Sequence, residues 1–309
     1  MKKTALVIAM ASVAGFANAE TVEVKLPTFY GKLNVTQEFV QPENEGNFSR
    51  LESNASRLGL KGDFALNEDL TALYQAEYEI DVDGDGDAFK MRNTFIGAKG
   101  AFGQVQAGIF DTALKASQGN VDQFNDLPGD IKYIVSNSEN REANAVRYST
   151  PSLSGLVLTV DHINAENGDE AEGTTHNGLS LSAVYTRDSI YAAVAHDSEV
   201  EGEGISATRV TGQVTLDALT LGALWETEDD NGESAGGMMV SAALALNSKV
   251  ALKGQYASSD IRAEGGEQIT VGADYKVNKN AKTFAFATTM EADDTDSVQI
   301  YGAGVEYKF

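Results

Sequence analysis

Tyr301-Gly302-Ala303-Gly304-Val305-Glu306-Tyr307-Lys308-Phe309 alternates strictly, with Tyr301, Ala303, Val305, Tyr307 and Phe309 on one side and Gly302, Gly304, Glu306 and Lys308 on the other. Successive side chains of a strand point to opposite faces, so this stretch reads as a strand with one apolar and one wet face. The same dyad recurs upstream. Leu70, Ala72, Tyr74, Ala76, Tyr78 and Ile80 oppose Thr71, Gln75, Glu77 and Glu79. Leu219, Leu221, Ala223 and Trp225 oppose Thr220, Gly222 and Glu226, and Ile269, Val271, Ala273 and Tyr275 oppose Thr270, Gly272, Asp274 and Lys276. With 30 Gly and 4 Pro among 309 residues, the composition suits many strands joined by turns.

The punctuation between such strands is itself alternating. Short connections fall at Leu66-Asn67-Glu68, Ala101-Phe102-Gly103, Thr150-Pro151-Ser152, Arg187-Asp188, Asp217-Ala218, Asn247-Ser248 and Asn278-Lys279-Asn280. Between them lie polar, acidic or Gly-rich stretches at 42–47, 81–87, 111–144, 165–176, 198–204, 229–235, 259–266 and 291–296. Seven turns and eight loops predict about 16 strands of ~10 residues in an antiparallel up-and-down meander.

The first residues are set apart from this pattern. Lys2 and Lys3 precede the apolar run Ala5 to Phe16, and Ala17-Asn18-Ala19 has the small-x-small form of a cleavage site. Residues 1–19 therefore read as a secretory signal peptide, with the mature chain starting at Glu20 and residues 20–309 forming one domain. Removing Lys2 and Lys3 from 23 basic residues, against 46 acidic ones, takes the net charge from −23 to −25. Such a charge repels phosphate backbones, so nucleic acid is not an expected partner. The sequence has no Cys, and His162, His176 and His196 are its only histidines, which leaves thiol chemistry and most zinc sites without ligands. No cofactor is called for. H-E-x-x-H does not occur, and a Ser/His/Asp set would have to be drawn from three histidines scattered over strands and loops, so the sequence does not read as an enzyme.

Two architectures accommodate the meander. A secreted sandwich or propeller buries its apolar faces in protein, whereas an outer-membrane barrel turns them towards lipid and lines a water-filled lumen with the polar set. Lys32, Arg57, Lys61, Gln75, Glu77, Arg92, Asp274 and Glu306 alternate with apolar residues, which favours a lumen able to solvate them. The turn-and-loop asymmetry points the same way.

Phe29-Tyr30-Gly31-Lys32-Leu33, Ser56-Arg57-Leu58-Gly59-Leu60-Lys61-Gly62 and the terminal Val305-Glu306-Tyr307-Lys308-Phe309 resemble the Gram-negative general diffusion porins. Gly103 to Gly108 followed by Asp111 to Lys115, and Arg141 to Pro151, are similar to that family's strands before and after its third loop. The resemblance implies an all-β transmembrane barrel in the outer membrane, a homotrimer, short turns towards the periplasm, and a long third loop folded into the lumen, about 111–144. It also implies contact with outer-membrane lipid, and it makes the terminal Phe309 part of a signal read by the barrel assembly machinery.

The family's constriction opposes loop acids with wall bases. Matching positions are Lys32, Arg57 and Arg92, with Arg141 and Arg147 from the end of the loop and the next strand. Asp122, Asp126 and Asp130 supply the acids, with Glu139 nearby. Val121, Phe124, Leu127, Ile131, Tyr133 and Ile134 are expected to pin the loop to the inner wall while the carboxylates face water. The family's usual loop tip is replaced by Asp122-Gln123-Phe124-Asn125-Asp126. The resulting expectation is a pore for small hydrophilic solutes and ions with a preference for cations. A substrate-selective channel and a plugged structural or adhesive barrel are the alternatives.

Asp81-Val82-Asp83-Gly84-Asp85-Gly86-Asp87 matches the opening of a calcium loop, but its twelfth position is Arg92 where the bidentate Glu belongs. An acidic second loop, reaching a neighbouring subunit or lying near lipopolysaccharide and its divalent cations, is the better reading.

Overall fold

The computed structural model describes residues 26–84, 86–165 and 177–309, so the expected leader at 1–19 and the start at Glu20 lie outside the described residues. Hydrogen-bonded segments follow one another as β1 (Thr28–Pro42), β2 (Phe48–Ser53), β3 (Arg57–Ala65), β4 (Leu70–Ile80), β5 (Phe89–Met91), β6 (Thr94–Gly100), β7 (Gly103–Asp111), β8 (Arg141–Ser149) and β9 (Leu156–Ile163). The second half comprises β10 (Gly178–Arg187), β11 (Ile190–Ser198), β12 (Ile205–Leu216), β13 (Leu219–Asp230), β14 (Glu233–Ala245), β15 (Val250–Ser259), β16 (Gly266–Lys276), β17 (Ala281–Ala292) and β18 (Thr295–Lys308). All belong to one antiparallel sheet, and β1 pairs with β18 to close it into a barrel. β2 with β3, and β5 with β6, are halves of single staves, giving the 16 strands that turn counting predicts. Among the described residues, closure leaves no free edge for pairing with another chain.

Local chemistry sets the short turns. Leu216 pairs with Leu219 across Asp217-Ala218, and Arg187 pairs with Ile190 across Asp188-Ser189. Two-residue hairpins that match the strand twist need positive φ at the first central residue, which Asp tolerates; Asp217 has φ 51° and Asp188 φ 52°.

Both broken staves carry an extra residue. β1 pairs Val35 with Ser53 above the break and Lys32 with Arg57 below it, a slip of one residue taken up at Asn54-Ala55-Ser56, where Ala55 has φ 47°. β4 pairs Tyr78 with Met91 and Gln75 with Phe95, absorbing a residue at Arg92-Asn93. Bulges bend a strand and re-aim its side chains. These two sit where Arg57 and Arg92 leave the wall.

The alternation sorts the residues as lipid and water would. Ile96 is 68% exposed on the outside, and Val194, Ile269, Val271 and Val305 are each more than half exposed. A band of exposed aliphatics of this kind suits hydrocarbon and not water. Inward positions are polar: Thr36, Glu38, Arg209, Glu226 and Thr270 all point into the barrel, where the connection between β7 and β8 buries several of them.

Candidate functional site

That connection, 112–140, folds into the barrel and lies along one side of it. It begins with α1 (Ala113–Ala116), capped by the Thr112 hydroxyl accepting from the Lys115 N–H. The Ala113 N–H donates to Asp161 Oδ2 at 2.8 Å and the Leu114 N–H to Ser180 Oγ at 3.1 Å, so buried wall side chains satisfy the orphan donors of the first turn. Beyond α1 the loop is seated by apolar contacts. Val121, Ile131, Ile134 and Val135 pack with Leu224, Met239 and Ala257 of β13 to β15. Phe124 and Leu127 pack with Val40, Phe284, Phe286 and Ile300.

Backbone carbonyls of the loop are equally well held. Ser241 Oγ donates to Val121 O at 2.6 Å, Gln255 Nε2 to Gly129 O at 2.8 Å, and Gln268 Nε2 to Pro128 O at 3.1 Å. Arg209 anchors the far end. Fully buried, it meets Glu226 at 2.5 Å and Glu139 at 2.8 Å, while its Nη2 donates to Ser136 Oγ at 2.9 Å. Ser136 Oγ in turn donates to Glu226 Oε1 at 2.7 Å.

With the loop against β9 to β17, a cavity of about 690 Å³ remains between it and the opposite wall. Its loop side carries Gly119, Asn125, Asp126, Lys132 and Tyr133, and its wall side carries Arg57, Glu79, Arg92, Asp111 and Arg141. Seven acidic and six basic residues line it, so the narrow region is close to neutral on a strongly acidic chain.

Asp126 is the loop acid that meets the bases. Its carboxylate lies 2.7 Å from Lys32 Nζ and 4.0 Å from Arg57. Burial pushes the Asp126 carboxyl up, and Lys32, Arg57 and Arg92 overcome this to hold it below its ordinary value. The bases themselves interleave with wall acids: Arg92 contacts Glu77 at 2.9 Å and Glu79 at 2.6 Å, and Arg57 lies 4.0 Å from Glu77. Arg141 contacts Asp111 at 2.8 Å. Arg147 is set back from the opening, paired with the buried Asp161 at 2.6 Å and stacked over Phe110.

Asp122 and Asp130 are turned into the loop instead of facing water. Asp122 accepts from the Phe124 and Ile131 N–H groups, and Asp130 from those of Asp126 and Lys132. Burial, followed by the nearby Asp130 carboxylate, pushes the Asp122 carboxyl up to about 8 against those two donors. Tyr133 also departs from expectation, being exposed beside the opening. It sits in a 3-10 turn, Ile131–Tyr133, whose three-residue repeat sends Ile131 and Ile134 to the wall and Tyr133 to the water.

Sequence reading passed over the Arg209 network. A signal was present, since the two-residue turn at Asp217-Ala218 fixes the hairpin register and that register puts Arg209 opposite Glu226. The acids Glu77 and Glu79 among the wall bases were visible only as polar strand positions. At the seam, the Phe309 N–H donates to Gly31 O at 3.1 Å and the Gly31 N–H to Phe309 O at 3.0 Å, with the Phe309 ring near Phe29 and Tyr307. The acidic second loop folds on itself, Asp81 accepting from the Gly84 and Gly86 N–H groups; Asp85 lies outside the described residues.

A closed 16-stranded barrel with an apolar belt and a loop narrowing its lumen defines a pore-type outer-membrane protein. The chain belongs to the Gram-negative porin family, whose model matches residues 4–295. The major outer membrane protein P.IB of Neisseria lactamica is 26% identical over 220 residues, which cover 67% of this chain; the chain spans about 62% of the length of that relative. An anion-selective porin from Comamonas acidovorans superposes with a TM-score of 0.75 at 17% identity, over 92% of this chain and 99% of that one. OmpT of Vibrio cholerae, in a trimer form, gives 0.69 at 17% identity over 92% and 99%.

Proposed function

We propose that the chain forms a water-filled channel for passive diffusion of small hydrophilic solutes and ions, with a weak preference for cations. The observation that carries this reading is the open, charged cavity of about 690 Å³ left between the third loop and the wall bases. Solutes crossing such an opening are sorted by cross-section and by the transverse field between Asp126 and the Lys32, Arg57 and Arg92 cluster. Because the lining is nearly balanced, the cation preference is assigned to the acidic long loops, among them Asp81, Asp83, Asp229, Asp230, Asp293 and Asp294. Passive diffusion requires no catalytic residue, so no enzymatic role is assigned.

The working unit is a homotrimer, the mature chain begins at Glu20, and assembly uses Phe309 as its signal to the barrel assembly machinery. A row of small outward residues, Ala273, Ala285 and Ala303, aligned by register across β16 to β18, supports packing of one barrel on another. Lipopolysaccharide, held through divalent cations, is the partner of the acidic long loops.

Single-channel recording in planar bilayers tests the reading. A general pore shows a large ohmic step, a substrate-selective channel shows current blocked by one solute, and a structural or adhesive barrel shows none. Native mass spectrometry in mild detergent tests the trimer, and only monomer there would sink it.

A further inference from the structure

We propose that the short-turn mouth of the barrel holds a binding site for polyvalent phosphate-type anions, built on Lys276, Lys279, Lys282 and Lys308. The turns following β14 and β16, together with the end of β18, enclose a pocket of about 350 Å³. That is within the range of small-molecule sites, about 300–1,000 Å³. Strand register puts its wall on the lumen side: Ala245 faces Ala251, Ala251 faces Asp274, Lys276 faces Lys282, and Lys282 faces Glu306. An ion leaving the narrow region towards the short turns therefore passes over it.

Lys249 turns its ammonium over the outward Tyr275 ring, so four lysines against Asp274 and Glu306 give the lumen side of the pocket a formal charge of +2 on a chain whose total is −23. Lys282 and Lys308 hold those two acids at 3.0 and 2.9 Å. Lys276 and Lys279 carry no ion pair among the described residues, so their charge is available to a ligand. The turns are also tied together, the Lys276 N–H donating to Lys249 O at 2.7 Å and Asn280 Nδ2 to Lys308 O at 2.6 Å. The lysines thus stand on a braced frame. Ammonium groups bind phosphate oxygens as compact point charges, and several converging on one pocket favour a polyvalent anion over chloride.

The site also continues a basic path. Lys308 pairs in register with Lys32, and Lys32 with Arg57, so bases run from the narrow region to this mouth. The opposite mouth carries the acidic long loops. The barrel is therefore polarised along its axis, and anions meet their strongest attraction at one end only.

The proposal rests on the channel reading for the route by which an anion arrives, but binding can be read without conduction. Single channels in about 0.1 M KCl, where the Debye length is about 10 Å, receive sodium tripolyphosphate on one side and then the other. The expected result is block or excess noise from the short-turn side only. Lys276→Gln with Lys279→Gln should raise the half-blocking concentration about fivefold while the channel still opens in ohmic steps without tripolyphosphate. Calorimetric titration of the purified barrel in neutral detergent should show the same loss of affinity in that double variant. Heat of binding without any conductance would sink the channel reading and keep the site. Equal block from both sides, no heat with the wild type, or unchanged affinity in the double variant would overturn the site.

Discussion

Lys32 Nζ lies 2.7 Å from the Asp126 carboxylate, joining the first strand to a loop residue 94 positions later. Asp126 reaches it from a left-handed backbone, φ 67°, held by its own N–H donating to Asp130 Oδ2. The contact makes Asp126 the point where loop and wall fields meet.

Asp126→Asn should therefore shift selectivity towards anions. A unit charge about 8 Å from a passing ion in water interacts by about 0.5 kcal/mol, attracting potassium and repelling chloride, so the potassium-to-chloride permeability ratio should fall about fivefold. Arg57→Gln with Arg92→Gln should raise it. Zero-current potentials across a KCl gradient measure both, and an unchanged potential in both variants would place the narrow point elsewhere.

Asp122 acts on the seat of the loop and not on the field. Its carboxyl is raised to about 8 when folded, against about 3.9 unfolded, so the folded loop keeps a proton that the unfolded chain loses. The resulting stabilisation is complete below about pH 4 and is lost as pH rises through about 8. Channel noise should be lower at pH 5 than at pH 8.5, and Asp122→Asn should remove the difference. Equal noise at both pH values in the wild type would count against this role.

Removing Arg209 should free the end of the loop. Arg209→Met leaves Glu226 and Glu139 buried without their partner, and breaking a buried pair in this way costs about 3–5 kcal/mol. Limited proteolysis should cut within 112–140 in the variant and not in the wild type. Resistance equal to the wild type would mean the apolar contacts suffice.

Gly31→Ala tests the closing seam. A Cβ there would stand 2.4 Å from Phe309 Cζ and 2.9 Å from the Arg57 carbonyl oxygen. The ring must move or the seam must open, at about 1–3 kcal/mol. The heat-modifiable gel shift should occur at lower temperature, and a shift identical to wild type would argue that Phe309 adapts freely.

The sequence by itself determined the barrel. Its signals are local: the dyad of residues 301–309, the two-residue turn at Asp217-Ala218 and its seven-to-eight rhythm of turns and loops each follow from near-neighbour geometry, and they recover the strand count and closure. The basic positions Lys32, Arg57 and Arg92 were legible for the same reason, as inward members of alternating strands. Which acid faces them was decided only by tertiary structure. Asp122, Asp126 and Asp130 are alike in type and spacing, yet Asp122 and Asp130 satisfy loop N–H groups while Asp126 reaches Lys32. The selection is made by burial of Val121, Phe124, Leu127 and Ile131 against strands more than 80 residues away, a long-range packing choice that carries no local periodicity. The same holds for the four lysines of the short-turn mouth, Lys276, Lys279, Lys282 and Lys308, which become one site only when closure sets the register of their strands and turns.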